Sequence, residues 1–261
     1  MAPAEPAKPM NTGAREWDAE TYDAVSDPQF DWGMEVLGRL ELRGDEDALD
    51  AGCGSGRVSE RLLELLPRGS LLAVDGSEAM IAKARERLGD RASYLVADLS
   101  DLAVKRPVDL VFSTATFHWI ADHDRLFARV RAALKPGGRL VAQCGGEGNV
   151  AEHATAIASV AAEPRFAAQL GEMNGLWNFA SAEDTERRLR DAGFEAVRCW
   201  LEPKPVQPAD PMAFTSTVTL GPVLAQLPKE LRPAFAEAVL DRSPSPLVLD
   251  YVRLNIEAVA A

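Results

Sequence analysis

The 261-residue sequence predicts an α/β protein in which a parallel sheet carries helices on both faces. Three observations carry that prediction. Short apolar runs of strand length recur between amphipathic stretches of helix length. The runs are apolar throughout and do not alternate, as strands covered on both faces are. And one run leads into a glycine-rich turn, Leu49-Asp50-Ala51-Gly52-Cys53-Gly54-Ser55-Gly56, from which a leucine-rich helix departs.

In chain order, residues 1–14 hold Pro3, Pro6, Pro9 and Gly13 with little to bury, and are expected to form a flexible tail. From residue 15 a single domain is expected, opening with a helical lid over 15–45 that carries Trp17, Tyr22, Phe30 and Trp32. Trp32, Val36, Leu37 and Leu40 fall at helical spacing within it. Residues 46–145 form the core. Ala48–Ala51 is a first strand, and Val58, Leu62, Leu65 and Leu66 give the next helix its apolar face before Pro67 and Gly69 end it. A second strand, Leu71–Val74, closes at Asp75, and Ser77 is placed to cap a helix bearing Met80, Ala84 and Leu88. Tyr94–Ala97 ends at Asp98, and Val108–Phe112 runs into Ser113-Thr114-Ala115-Thr116-Phe117-His118-Trp119. Asp122 caps a further helix, and Lys135-Pro136-Gly137-Gly138 turns into a strand at Arg139–Gln143.

The second half leaves this rhythm. Residues 151–172 are Ala-rich and helical, and Gly175, Trp177 and Phe179 make an aromatic connection. Ser181 starts a helix with acids in its first turn and arginines later, an order that suits the helix dipole. Ala196–Leu201 reads as a strand, and Val252–Ala258 alternates as a half-exposed one. Segments 146–180 and 203–245 are expected as helical insertions on the substrate side.

A net charge of −12 with no basic run argues against a nucleic-acid surface. Three scattered cysteines, Cys53, Cys144 and Cys199, match no metal spacing and suit a reducing compartment, so no metal is expected. The first ten residues lack an apolar core, and no apolar run approaches the roughly 18 residues of a membrane span. A cytoplasmic protein without a membrane partner is the expectation. His123 and His153 are expected at the surface.

Ligands of open α/β sheets sit outside the carboxyl ends of the strands. Those ends here carry Asp50 with the glycines, then Asp75, Asp98 and Ser113–Trp119. One such acid is ordinarily a cap or a solvated loop residue; three in succession beside a glycine turn point to a ligand. The dinucleotide pattern is G-x-G-x-x-G, and Arg57 stands where its last glycine belongs. Asp75 keeps the distance of an acid that grips ribose, so a nucleoside without a pyrophosphate fits better than NAD.

In these stretches the sequence resembles the class I S-adenosylmethionine-dependent methyltransferases. The motifs occur in order: Leu49–Gly56, Val74-Asp75-Gly76-Ser77 with Met80, Ala97-Asp98-Leu99 and Leu134–Gly138. Phe112–Trp119, with Tyr22 followed seven residues on by Gln29, is similar to the group of trans-aconitate 2-methyltransferases, malonyl-acyl-carrier-protein methyltransferases and juvenile hormone acid methyltransferases. The resemblance implies a Rossmann-like, mostly parallel seven-stranded sheet with helical insertions over the C-terminal edge of the strands. It implies S-adenosyl-L-methionine as cofactor and S-adenosyl-L-homocysteine as product. The backbone of Gly52, Gly54 and Gly56 would hold the methionine part, with Asp50 near its amino group. Asp75, beside Gly76, would accept from the ribose hydroxyls, and Met80 would pack on adenine. Asp98 would accept from the adenine amino group between Ala97 and Leu99. Ser113 would line the cleft, with Trp17 and Tyr22 closing over it.

The acceptor is expected to be a small molecule, methylated on a carboxylate oxygen, with Gln29, His118, Trp119 and Trp177 around it and Phe179 as a further wall. A carboxylate is already a nucleophile at neutral pH, whereas a phenol, amine or carbon acid needs a base. His118 is the candidate for either base or orienting group, and relatives with Gln at that position imply orientation. The alternatives are an N-, C- or phenolic O-methyltransferase, or a cofactor-binding protein without catalysis.

Overall fold

The computed structural model describes residues 27–170 and 177–261. Trp17, Tyr22, the tail and Gly175 lie outside the described residues. Helix α1 (Asp27–Leu37) turns Trp32, Val36 and Leu37 inward at the spacing of one helical face. The core then alternates as its sequence pattern dictates: β1 (Asp47–Ala51), α2 (Arg57–Glu64), β2 (Ser70–Asp75), α3 (Glu78–Leu88), β3 (Ser93–Val96), β4 (Val108–Thr114), α4 (His123–Ala133) and β5 (Leu134–Gly145). Helices α5 (Ala151–Ala161), α6 (Pro164–Leu170) and α7 (Ala182–Asp191) lead to β6 (Phe194–Pro203). Then come α8 (Pro211–Phe214), a π-helical turn (Thr215–Thr219), α9 (Gly221–Gln226), α10 (Arg232–Arg242) and β7 (Val252–Ala260). The expected caps are made: Ser77 Oγ accepts from the Met80 amide at 3.3 Å, Asp122 Oδ1 from Arg125 at 2.9 Å and Ser181 Oγ from Asp184 at 3.1 Å.

The sheet order is β3-β2-β1-β4-β5-β7-β6, a Rossmann-like α/β arrangement in which only β7 runs against the rest. The strands bury alternate residues on opposite faces. Leu49, Val111, Leu140 and Leu254 meet Phe127 and Leu189 from α4 and α7. Ala48, Leu110, Phe112 and Val141 meet Val36, Leu37 and Leu62 from α1 and α2. Helices α5, α6, α9 and α10 form a cluster of their own around Phe166 and Phe235. After β3 the chain crosses to the other side of β1, so a cleft opens beyond the C-terminal ends of β1 and β4.

Three expectations need correction. The Ala-rich helix is two helices, broken before Pro164, which cannot continue the hydrogen-bond ladder. Strand β7 is not half-exposed: Arg253, Leu254, Asn255 and Ile256 are all buried, because β7 lies between β5 and β6. Its alternation separates an apolar face from a buried polar one, on which Gln143 Nε2 donates to Asn255 Oδ1 at 2.8 Å. His123 and His153 are buried as well. His123 Nε2 bonds the Phe117 carbonyl at 3.0 Å, and burial pushes its pKa down. His153 bridges Thr219 Oγ1 at 2.9 Å and Ser243 Oγ at 3.3 Å, its pKa pushed down to about 4 by burial. Both imidazoles serve as neutral hydrogen-bonding links inside the protein. No helix among the described residues is long and apolar enough to cross a membrane.

Candidate active site

Where β1 ends, the amides of Gly52 and Cys53 donate to the Val74 carbonyl at 2.8 and 2.9 Å, fastening the glycine turn to β2. Gly52 has φ 87°, and a Cβ there would meet Thr116 Oγ1 at 2.1 Å. At Gly54, with φ 54°, a Cβ would meet nothing within 4 Å. The first glycine therefore answers to packing within the protein, and the second leaves open space before the backbone. A Cβ at Gly56 would lie 3.3 Å from Ala84 Cα, so this glycine brings α2 close to α3.

Asp75 ends β2 with both oxygens directed by the turn: Oδ2 accepts from the Gly54 amide at 3.0 Å and Oδ1 from Ser77 at 2.9 Å. Burial raises its pKa, and these amides oppose the rise. Each oxygen retains a second lone pair for a ligand hydroxyl. Asp98 is exposed at the end of β3, where Oδ1 also caps a 3-10 turn through the Ser100 amide at 2.8 Å.

A cavity of 420 Å³ joins these groups. One half is lined by Gly52, Gly54, Asp75, Gly76, Met80, Ala97, Asp98 and Leu99, and the other takes in Gln29, His118, Trp119, Trp177 and Phe179. Asp50, Gly56 and Ser113 stand behind that surface instead of on it. Ser113 Oγ donates to the Ala51 carbonyl at 2.6 Å, tying β4 to β1. Asp50 is buried and accepts from Ser59 Oγ at 2.6 Å, which turns the carboxylate toward α2 and away from the cleft. Burial pushes its pKa up to about 7, the Ser59 bond opposing and the Asp75 charge adding. Cys53 is likewise buried, and burial drives its thiol pKa well up, so it packs as a small neutral residue.

The second half of the cavity has an aromatic wall. The rings of Trp177 and Phe179 stack at 5.5 Å and 12°; His118 lies 5.8 Å from Phe179 and 4.9 Å from Trp119. Asn178 holds this wall together, donating its amide to the His118 carbonyl at 2.8 Å and Nδ2 to the Ala121 carbonyl at 2.9 Å. Gly145 leaves room for Phe179, since a Cβ there would sit 2.6 Å from its ring. Its amide donates to His118 Nδ1 at 3.2 Å. That bond makes Nδ1 an acceptor and puts the proton of the neutral ring on Nε2.

Several lining residues escape sequence reasoning: Asn149, Val150, Thr219, Tyr251 and Arg253. Ala115 and Val150 have φ of 56° and 47°, strained for non-glycine residues, most of all for a β-branched one. The Ala115 amide donates to the Gln143 carbonyl at 2.8 Å and that of Val150 to Asp250 at 3.0 Å, which pins both. Strain of this kind costs about 1–3 kcal/mol and gathers at functional sites. Among the described residues no cluster of metal-ligating side chains occurs.

A family described as a methyltransferase domain matches residues 48–138. A trans-aconitate 2-methyltransferase of Methylobacterium nodulans is 32% identical over 186 residues, 71% of this chain and 67% of that one. A malonyl-[acyl-carrier protein] O-methyltransferase of Priestia megaterium is 33% identical over 138 residues, 51% of this chain and 50% of that one. The chain spans about half the length of the curated relatives it matches, and two thirds of the Methylobacterium protein. Among solved structures, a phosphoethanolamine N-methyltransferase 2 of Haemonchus contortus, in complex with phosphomonomethylethanolamine and S-adenosylhomocysteine, matches with a TM-score of 0.62. It is 20% identical, with 93% of this chain and 56% of that one covered, a likeness of fold alone. With its strand-end motifs gathered round one cavity, and with a relative of this identity and extent, the chain belongs to the class I S-adenosylmethionine-dependent methyltransferases.

Proposed function

We propose that this chain transfers a methyl group from S-adenosylmethionine to a carboxylate oxygen of a small organic acid. The residues present fit the cofactor: open space before Gly54, a carboxylate pair of lone pairs at Asp75, and Met80 with Leu99 as an apolar slot. When bound, the cofactor supplies an electrophilic methyl on a sulfonium whose leaving group departs as a neutral thioether. The chain's own work is then to hold the acceptor in line and keep water out.

One observation carries the choice of acceptor, the Gly145 amide on His118 Nδ1. It occupies the ring nitrogen that would otherwise take a proton and leaves Nε2–H as a donor. A donor suits an acceptor that arrives ionised, as a carboxylate does at neutral pH. Gln29, whose side-chain amide can donate through Nε2, lines the same cavity. The relatives named for trans-aconitate and malonyl acceptors support the same reading.

Incubation with methyl-labelled cofactor and a panel of acids, phenols and amines tests it. Label in base-labile esters is the expected result; label in amines or phenol ethers, or none, overturns it. His118→Gln keeps a side-chain N–H donor and should stay within about tenfold of the parent, while His118→Leu should lose about a hundredfold. A loss beyond a thousandfold in His118→Gln, with a titration lost from the pH profile, would make His118 a base.

A further inference from the structure

Asn149 follows β5 in a loop held on three sides. The Gly146 amide donates to the Val252 carbonyl, that of Glu147 to Ala180 and that of Val150 to Asp250, each at 3.0 Å. The loop carries φ of 80° at Gly148 and 47° at Val150, on either side of Asn149, the kind of backbone that gathers at functional sites. Asn149 itself is 4% exposed and lines the cavity. The orientation of its side chain is fixed, because the Val252 amide is a donor and at 2.9 Å must face Oδ1. Nδ2 therefore points elsewhere, and it has no hydrogen-bond partner among the described residues. It lies beside Gly145 and Phe179: a Cβ built on Gly145 would stand 3.0 Å from Nδ2 and 2.6 Å from the ring. Phe179 belongs to the aromatic wall, so the amide opens on the half of the cavity that holds it. A buried donor without a partner costs about 1–3 kcal/mol, which a ligand oxygen there would restore.

We propose that Asn149 Nδ2 donates to the reacting carboxylate of the acceptor, on the oxygen that does not take the methyl. This rests on the carboxyl-methylating reading above. A carboxylate has one oxygen to offer the donor and another to attack with. A neutral amine has a single lone pair, and a donor on it would mask the nucleophile. The amide is itself neutral, so it draws less charge from the attacking oxygen than a cation would. After transfer the ester carbonyl still accepts from it, so the bond orients the acceptor throughout.

Two variants separate this role from the bond to Val252. Asn149→Asp keeps an oxygen for the Val252 amide and puts a second acceptor where the donor was; Asn149→Ala removes the donor without adding charge. Hexanoate, benzoate and succinate are the probes, in methyl transfer with kcat and KM resolved and in calorimetric binding to the protein loaded with S-adenosylhomocysteine. For the acid the parent takes best, KM should rise about tenfold in Asn149→Ala and about a hundredfold or more in Asn149→Asp, with kcat within about threefold. S-adenosylhomocysteine affinity should hold in both, and the melting temperature of Asn149→Asp should stay near the parent's. Should Asn149→Ala fail to fold, Asn149→Ser stands in, uncharged and too short to reach the acceptor. Parental KM in Asn149→Asp overturns the proposal, and so does a loss confined to Asn149→Asp, which would be charge repulsion alone. Equal losses of acid and S-adenosylhomocysteine binding, or a parent that binds none of the three acids, overturn it as well. Asn149-dependent binding of an acid without transfer leaves the donor standing and overturns the carboxyl-methylating reading instead; transfer to an acid that neither variant impairs does the reverse.

Discussion

Asp50 illustrates how a residue can serve a site it does not touch. It sits under the glycine turn, buried, with one bond from Ser59 and the Asp75 carboxylate nearby. Its folded pKa of about 7 lies above the ordinary value of 3.8, so between those pH values the folded protein binds more protons than the unfolded chain. Its contribution to the stability of the ligand-free protein therefore falls as pH rises from about 4 to about 7 and levels off above, against the opposite contribution of the buried His153. Asp50→Asn removes the buried charge and keeps an acceptor for Ser59. The variant should gain on the order of 2 kcal/mol at pH 8, with little change at pH 4, and a flatter profile between. Chemical denaturation at four or five pH values measures this; parallel profiles for parent and variant would place the penalty elsewhere. The identity of Asp50 as a motif residue is legible in the sequence, but its direction is not. That is set by Ser59, one turn into α2, and by the burial both acquire only when α2 closes over the strand.

At the level of the element, the turn between β1 and α2 separates two kinds of glycine. Gly52→Ala drives a Cβ into Thr116 and holds it at φ 87°, so it should cost about 2 kcal/mol or more of stability. Gly54→Ala meets nothing within the protein, and its φ of 54° should cost only about 1 kcal/mol. Yet its methyl enters the space left for the ligand, so S-adenosylhomocysteine affinity should drop at least tenfold in a variant whose melting temperature barely moves. Thermal melts beside calorimetric titrations separate the two, and equal damage to folding would refute the division. The spacing of the glycines is plain in the sequence because the turn is local. The same holds for the caps Ser77, Asp122 and Ser181, which each bond an amide three residues on. Thr116, by contrast, lies 64 residues from Gly52, and nothing in either stretch announces that they touch.

Across the whole molecule, the legible part of the site is the part built at the ends of parallel strands, where each strand delivers its last residue to one edge. An antiparallel strand delivers its first residues to that edge, so Arg253 and Tyr251 arrive from a stretch whose alternation reads as half-exposed. The same strand carries a buried polar seam outward from the cavity. Gln143 Nε2 and Arg39 Nη1 both donate to Asn255 Oδ1, at 2.8 and 2.5 Å, and Arg39 reaches Glu202 at 3.7 Å. Lys204 Nζ then joins Glu202 at 3.1 Å to Glu35 at 2.7 Å on α1, the helix that brings Gln29 to the cavity and packs Trp32 behind it. The seam thus mounts the N-terminal helix on the far strands of the sheet, and its two ends should differ in strength. Lys204→Met removes a solvent-screened pair and should cost less than about 1 kcal/mol. Asn255→Ala strips the acceptor from a buried amide and a guanidinium together and should cost about 1–3 kcal/mol. Because α1 brings Gln29 to the half of the cavity proposed for the acceptor, Asn255→Ala should also raise acceptor KM several-fold while S-adenosylhomocysteine affinity holds. Equal losses on both ligands would show that the seam supports the sheet as a whole and gives α1 no particular placement.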